Sequence, residues 1–110
     1  MATSYNTEDL IAGEIKTAQV PLKADTYYRG MPLKYTSGSD YYEYDATAST
    51  LAAVFLEDES RTLTDTGYGA VIVGGELLDT GLVDDSGDAL TIDEDFKAAV
   101  APRGFYIKTE

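Results

Sequence analysis

The sequence predicts a mainly β fold, a small β-sandwich or barrel-like domain, with one short C-terminal α-helix and a flexible N-terminal arm. Three observations lead to this prediction. The longest β-branched apolar run, residues 70–73, has glycines on both sides. Several other short stretches alternate between apolar and polar residues at the period of a strand. Only the segment that starts at Thr91 carries the capping residues of a helix.

The stretch 68–78, which reads YGAVIVGGELL, is predicted to be the central strand. A short apolar run between turn-forming residues is typical of a strand that is buried on both faces. The alternative is a short buried helix. The four glycines at positions 67–75 argue against that helix, because each of them costs about 1 kcal/mol in a helix interior.

Two strands are predicted before residue 36. Residues 18–22 form a short strand, and an edge position is expected for it because Pro21 has no N–H group. Residues 26–35 alternate with period two, so they form a second strand with a kink at Gly30.

A hairpin is predicted at residues 36–40, where small and polar residues separate two aromatic stretches. The second aromatic stretch, residues 41–45, is expected to pair back on the first. Residues 51–58, which read LAAVFLED, are predicted to contain a core strand.

The one predicted helix has Thr91 as its N-cap, and Glu94 three residues later completes a capping box. Phe96 and Val100 are four residues apart and share one face of this helix. Pro102 ends the helix. A final strand follows at residues 105–107.

Residues 1–17 are predicted to form the flexible arm, and residues 18–110 the β-rich domain. Small and polar residues dominate the arm, so it has little to bury. It is either a frayed tail or a docking arm that becomes ordered on a partner by adding a strand to the partner's sheet. The residues predicted to contact the partner are Ser4, Tyr5, Leu10, Ile11 and Ile15.

Length and composition restrict the classes of function. A chain of 110 residues with 44% hydrophobic residues is expected to form one domain. The formal net charge is -12, and eight acidic residues but no Lys or Arg lie between Glu76 and Asp95. Such a surface repels phosphate backbones, so nucleic acid is not an expected partner. No stretch has the apolar length of a membrane span, no secretory signal is visible, and the absence of cysteine fits synthesis in the cytosol.

The sequence lacks the usual catalytic and cofactor motifs. It has no histidine, which is the usual base near neutral pH, and no glycine-rich phosphate-binding motif. Paired carboxylates of the glycosidase type are conceivable among twenty acids, but a solvated surface is the simpler explanation. A partial calcium-loop pattern is present at Asp84, Ser86, Asp88 and Asp95, with its glycine at position 87 instead of position 89. We therefore expect neither an enzyme nor a cofactor.

Tyrosine is frequent, with nine in the chain. The cluster within one short region consists of Tyr27, Tyr28, Tyr35, Tyr41, Tyr42 and Tyr44. Half-buried packing between strands is the simpler explanation, and a protein–protein interface is the alternative. Tyrosines that stack on nucleic acid need basic residues around them. The residues near this cluster are largely acidic, so stacking on nucleic acid is not expected.

Four segments together resemble the lambda-type head decoration proteins of tailed bacteriophages. They are YRGMPL at residues 28–33, LAAVFLED at 51–58, AVIVGGELL at 70–78 and DFKAAVAPRGFYIK at 95–108. Their order and spacing match the family across residues 25–108.

This resemblance implies a small, mostly β domain that binds the outer face of an expanded phage head and reinforces it against the pressure of packaged DNA. The implied partner is the major capsid protein, and the implied assembly is a homotrimer. The implied location is the outer capsid surface of the virion, after synthesis in the host cytoplasm. Decoration as a monomer stays open, as does a non-viral β-rich module that binds a peptide or a carbohydrate.

Overall fold

The computed structural model describes residues 10–57 and 59–109, which form a mainly β domain with one short α-helix near the C-terminus. The predicted fold class is confirmed. The strands of the described part are β1 (Ile11–Leu22), β2 (Thr26–Tyr27), β3 (Pro32–Tyr35), β4 (Tyr42–Tyr44), β5 (Ala53–Phe55), β6 (Arg61–Thr62), β7 (Gly67–Leu78) and β8 (Phe105–Lys108). The helix α1 spans Glu94–Val100. Within the described ranges, no helix combines the length and apolarity that crossing a membrane requires.

Five strands close into a small barrel. Around the barrel, β1 pairs with β4, β4 with β3, β3 with β5, β5 with β7, and β7 again with β1. The β1–β4 link is parallel and consists of the pair Leu22 and Tyr42, whereas the other links are antiparallel. Outside this circuit, β8 runs parallel to the C-terminal end of β7. The strands β2 and β6 form a separate two-stranded sheet.

The strand β7 is the centre of the sheet, as the sequence predicted. Val71 and Ile72 are consecutive, so their side chains point to opposite faces, and both are fully buried. Val71 packs with Phe55 inside the barrel, in a cluster that we call the inner core. Ile72 packs with Val54 on the other face, in the outer core. The predicted burial on both faces is confirmed.

Each core draws its side chains from a different set of elements. The fully or nearly buried members of the inner core are Val20, Leu22, Tyr27, Met31, Leu33, Ala53, Phe55 and Val71. Those of the outer core are Leu10, Leu51, Val54, Ile72, Leu77, Leu82, Val100 and Phe105. The barrel strands therefore enclose the inner core, and α1, β8 and the loop before α1 cover the outer one.

The helix α1 starts later than the sequence predicted. Its N-cap is Asp93, whose carboxylate accepts a hydrogen bond from the N–H of Phe96 at 2.9 Å. The predicted N-cap Thr91 is therefore wrong, because the carboxylate of Asp93 satisfies the free N–H group of the first turn. The predicted apolar face is confirmed: Val100 is buried, and Phe96 packs against the outer core.

The chain reverses between α1 and β8 as expected. A 3-10 turn at Ala101–Arg103 contains Pro102, and Gly104 follows with φ of 93°. This left-handed conformation suits a glycine at the end of a helical segment. The final strand is confirmed, with Phe105 buried and Ile107 packed against the same outer core.

The predicted strand at residues 26–35 is two strands in two different sheets. The segment between β2 and β3 forms a turn, in which the N–H of Met31 donates to the carbonyl of Tyr28 at 3.0 Å. Gly30 takes φ of 93° there, and a Cβ would overlap the carbonyl oxygen of Gly81. The predicted kink is thus a complete break, because close packing against another loop selects a turn. The predicted hairpin is confirmed by the β3–β4 pairing.

The strand β1 corrects the boundary of the predicted arm. It starts at Ile11, whereas the sequence placed the first strand at residues 18–22, and it pairs with β7 along its length. Register shifts between Ile11 and Ile15 and between Lys16 and Thr17 interrupt the alternation of its side chains. Such irregularities hide a strand from a period-two search. Residues 1–9 of the predicted arm lie outside the described residues.

Candidate functional site

The outer edge of β1 offers backbone groups to another chain. One edge of β1 pairs with β7 from Ile11 to Leu22. On the other edge, the described residues pair with β1 only at Leu22, which lies opposite Tyr42. A free strand edge of this length is a template for an extended segment of a partner. Pro21 lies in this edge strand, where its missing N–H group is tolerated.

Of the five residues that were predicted to contact a partner, the structure describes three. Ser4 and Tyr5 lie outside the described residues. Leu10 is 1% exposed and belongs to the outer core of this chain. Ile11 and Ile15 are half-buried and pack against the same core. The three described side chains therefore hold the start of β1 on the protein's own body.

Glu76 supports β1 at its first register shift. Its carboxylate lies 2.5 Å from the Nζ atom of Lys108 and close to the backbone of β1 at Gly13 and Glu14. Hydrogen bonding and charge from Lys108, with a smaller contribution from Glu14, lower the pKa of Glu76. Gly13 provides the space, because a Cβ there would lie 2.8 Å from the Glu76 carboxylate.

The sequence did not predict the contact of Glu76 with Lys108 and β1. In the sequence, Glu76 was only the first residue of the acidic stretch that ends at Asp95. The available signal was the glycine in the segment that pairs with it. Gly13 interrupts a stretch of apolar residues, and an isolated glycine in a strand often marks a close approach by another group. The partner of such a glycine is fixed by strand register, which the sequence alone does not give.

The acidic loop between β7 and α1 is a closed hairpin. Val83 and Ala89 form an isolated bridge, and the N–H of Asp84 donates to the carbonyl of Asp88 at 2.7 Å. The Oδ1 atom of Asp84 accepts hydrogen bonds from the N–H groups of Ser86 at 2.8 Å and Asp88 at 3.0 Å. The carboxylate that begins the calcium-like pattern thus stabilises its own turn. In the described part of the chain, no group of three or more acidic side chains is arranged to hold a metal ion.

The acidic hairpin also lies against tyrosines of the barrel. Gly87 has φ of 84°, and a Cβ there would lie 3.2 Å from the ring of Tyr28. Burial raises the pKa of Tyr44, and the nearby charges of Asp85 and Asp84 raise it further. The tyrosines therefore position the hairpin, and the hairpin covers part of their surface.

Packing accounts for most of the clustered tyrosines. Tyr27 is fully buried, and its ring stacks on that of Phe55 with the centroids 5.6 Å apart. The rings of Tyr35 and Tyr42 are 5.1 Å apart across the β3–β4 hairpin. Tyr35 is 46% exposed, so an aromatic surface remains at this hairpin. A protein–protein interface formed by the tyrosine cluster would therefore be limited to the small aromatic surface at the β3–β4 hairpin.

Comparison with protein-family models and with curated proteins finds no relative. No protein-family model matches the chain, and no curated protein matches it. The function is therefore inferred from the residues of this chain, their geometry and the four family-like segments.

Proposed function

We propose that this protein decorates the outer surface of an expanded bacteriophage head, where it binds the major capsid protein and cements the shell. The observation that best supports this proposal is the place of the four family-like segments in the sheet. They contribute β3, β5, β7 and the unit of α1 and β8. These strands are consecutive neighbours, in the order β3, β5, β7, β8.

The adjacency supports the proposal because the four segments are far apart in the chain. The residue pairs that join them are Leu33 with Ala53, Val54 with Ile72, and Gly75 with Phe105. A resemblance that covers one small β domain requires its segments to belong to one sheet, and these four segments do so. Segments that share the fold of that family are expected to form one contiguous sheet, because the core residues determine the fold.

The free outer edge of β1 is the second supporting observation. Residues 1–9 precede β1 in the sequence. The proposed arm and the free strand edge therefore belong to one continuous stretch of chain. We limit the proposed docking arm to residues 1–9, with Ser4 and Tyr5 as contacts, because Leu10 belongs to the outer core. In this mechanism the arm and the edge pair with extended backbone of the coat protein.

The proposed action is mechanical and needs no chemical step. Many copies, arranged as homotrimers on the outer capsid surface, would each bridge neighbouring coat subunits. A protein that binds only the closed, expanded shell stabilises that shell by mass action. The protein would be made in the host cytoplasm and would end on the virion.

A binding experiment with capsid shells tests the proposal. The purified chain is mixed with expanded and with unexpanded shells of the cognate major capsid protein, and the shells are then sedimented. Binding to the expanded shell alone is expected, and failure to bind either shell would refute the proposal. Deletion of residues 1–9 should weaken binding by about tenfold or more and leave the thermal melting curve unchanged. A control in which a Gly-Ser sequence of equal length replaces residues 1–9 separates the role of the arm's sequence from that of its length.

The exposed ring of Tyr35, which packs on the half-buried ring of Tyr42, favours one alternative, a module that binds a peptide or a carbohydrate. Glycan and peptide arrays distinguish the two functions, since the alternative requires specific binding that is lost in the variant Tyr35→Ala. Sedimentation of the free protein separates preformed trimers from monomers that assemble on the shell.

A further inference from the structure

A groove lies across the part of the sheet where β1 and β7 extend beyond the barrel. Its volume is about 550 Å³. The strands β1 and β7, the turn before β8, and β8 itself contribute its walls. This size is in the range of sites that hold a small ligand or a few residues of a peptide.

The floor of the groove contains a glycine with open space above it, next to Val73. Gly74 on β7 leaves it open beside Gly104, because a Cβ at Gly74 would meet only the Gly104 carbonyl oxygen, whereas the backbone of β1 covers Gly75. Glycines in a strand allow another backbone to approach closely. Ile15 and the 57% exposed ring of Tyr106 provide apolar surface at the sides. The shape and lining therefore suit an extended peptide with apolar side chains.

The charges around the groove differ from those of the whole protein. Lys16 and Arg103 line it, together with the acids Glu14 and Glu76. The charge of Glu76 is matched by Lys108 at 2.5 Å, so two cations face one unmatched acid, Glu14. In a chain with a net charge of -12, this groove is locally positive.

The two cations differ in how firmly they are held. Arg103 donates a hydrogen bond from Nε to the carbonyl of Leu51, which holds its guanidinium group beside the groove. Lys16 is exposed, and among residues 10–57 and 59–109 it makes no ion pair. A carboxylate entering the groove would therefore find one fixed and one movable cationic donor.

From this geometry we infer that the groove binds an extended peptide segment of a partner protein that carries a carboxylate side chain between apolar residues. The backbone lies over Gly74, and the carboxylate is held by Lys16 and Arg103. This inference does not depend on the partner being a capsid protein.

Titration of the isotope-labelled full chain with two blocked tripeptides tests the inference. The probes are acetyl-Val-Glu-Val-amide and its matched neutral form, acetyl-Val-Gln-Val-amide. For the acidic peptide we expect a dissociation constant on the order of 1 mM, with amide shifts centred on Gly74, Gly75 and Gly104. The neutral peptide should bind about tenfold more weakly, because it lacks the charge-assisted hydrogen bonds. Added salt should weaken only the acidic peptide.

Two variants and one control locate the site. Lys16→Gln should reduce the affinity for the acidic peptide toward that for the neutral one, and a smaller preference should remain because Arg103 is still present. Gly74→Ala should weaken both peptides by filling the floor, and the added Cβ meets only the Gly104 carbonyl oxygen, at 3.4 Å. Lys23→Gln, which removes an exposed charge outside the groove, should leave both affinities unchanged. Equal affinity for the two peptides, shifts centred elsewhere, or full binding by Lys16→Gln would overturn the inference. Shifts at the groove that depend on protein concentration without peptide would also overturn it, because a second copy would then be the occupant.

Discussion

Glu76 on β7 and Lys108 on β8 form an ion pair of 2.5 Å that crosses the two parallel strands diagonally. Because the Glu76 carboxylate also lies against the backbone of β1, where a Cβ at Gly13 would be 2.8 Å from it, one side chain contacts three strands. The connection lies where β1 leaves regular register with β7. The start of β1 therefore depends on a charged contact in addition to the packing of its isoleucines.

The variant Glu76→Gln is expected to loosen the start of β1 without unfolding the protein. It removes the charge that faces Lys108 and that lies close to the backbone of Gly13 and Glu14. Amide hydrogen exchange should become faster at residues 11–16 and stay unchanged in β5 and in the barrel end of β7. The control Glu59→Gln, at an exposed position, should not affect exchange in β1. Unchanged protection of residues 11–16 in Glu76→Gln would show that packing alone holds this segment.

The same contact predicts a dependence on acid pH. The folded-state pKa of Glu76 is lowered, so its contribution is present above the ordinary glutamate value of about 4.3. It is lost as the pH falls through the lower, folded-state value. Protection factors at residues 11–16 should therefore decline in acid in the parent protein. The decline should be smaller in Glu76→Gln, and equal declines in the two proteins would contradict the assignment.

Two neighbouring glycines are expected to respond differently to the same substitution. Gly75 has φ of 128°, and a Cβ there would lie 2.6 Å from the Cα of Ile15. Gly75→Ala should therefore reduce the free energy of unfolding by about 2 kcal/mol or more. Gly74 has ordinary backbone geometry, and its Cβ would meet only the Gly104 oxygen at 3.4 Å, so Gly74→Ala should change stability by less than about 1 kcal/mol. Urea denaturation measures both, and equal effects would contradict the register of β1 against β7.

The elements that the sequence predicted are those whose signals are local. Val71 and Ile72 identify β7 because a β-branched apolar run between glycines is typical of a buried strand. The face of α1 that carries Phe96 and Val100 follows from the helical period in the same way. The extent of β1 was not predictable, because its register shifts remove the alternation and because its pairing with β7 joins residues 45 to 66 positions apart in the sequence.

The candidate site was less predictable than the fold. Leu10, Ile11 and Ile15 were predicted to contact a partner, but the sequence does not tell which surface covers an apolar side chain. Their burial depends on the outer core, which residues far along the chain complete. The groove is built from three separate segments, so its charge balance becomes visible only after strand register is known.

The hairpin between β7 and α1 is predicted to be stabilised by Asp84 itself and not by a metal ion. Asp84→Ala removes the acceptor for the N–H groups of Ser86 and Asp88. The loss should be about 1 kcal/mol of unfolding free energy, with faster amide exchange confined to residues 84–88. The matched variant Asp85→Ala should have a smaller effect.

Melting curves of the parent protein in calcium and in EDTA test the other half of this prediction. We expect the same melting temperature in both, because the Asp84 carboxylate is already committed to backbone donors. A higher melting temperature in calcium, lost in Asp84→Ala, would assign the loop to calcium instead.

Tyr27 is predicted to limit stability at alkaline pH. Its ring is fully buried on Phe55, and its hydroxyl group donates to the carbonyl of Lys23 at 2.6 Å. Burial, with smaller contributions from the charges of Asp25 and Glu43, raises the pKa of Tyr27. Because the folded-state value is raised, this contribution is fully present below the ordinary tyrosine pKa of about 10 and is lost as the pH rises above it.

The variant Tyr27→Phe separates the hydroxyl group from the ring. At neutral pH it should lose about 1 kcal/mol of unfolding free energy, the net value of one hydrogen bond. Above a pH of about 10 its stability should decline less steeply than that of the parent, because the buried group that must ionise on unfolding is gone. Urea denaturation at several pH values measures both effects. Tyr68→Phe, which changes a ring that is 64% exposed, should follow the parent throughout. If Tyr27→Phe and the parent lose stability with the same slope, the alkaline transition belongs to other groups.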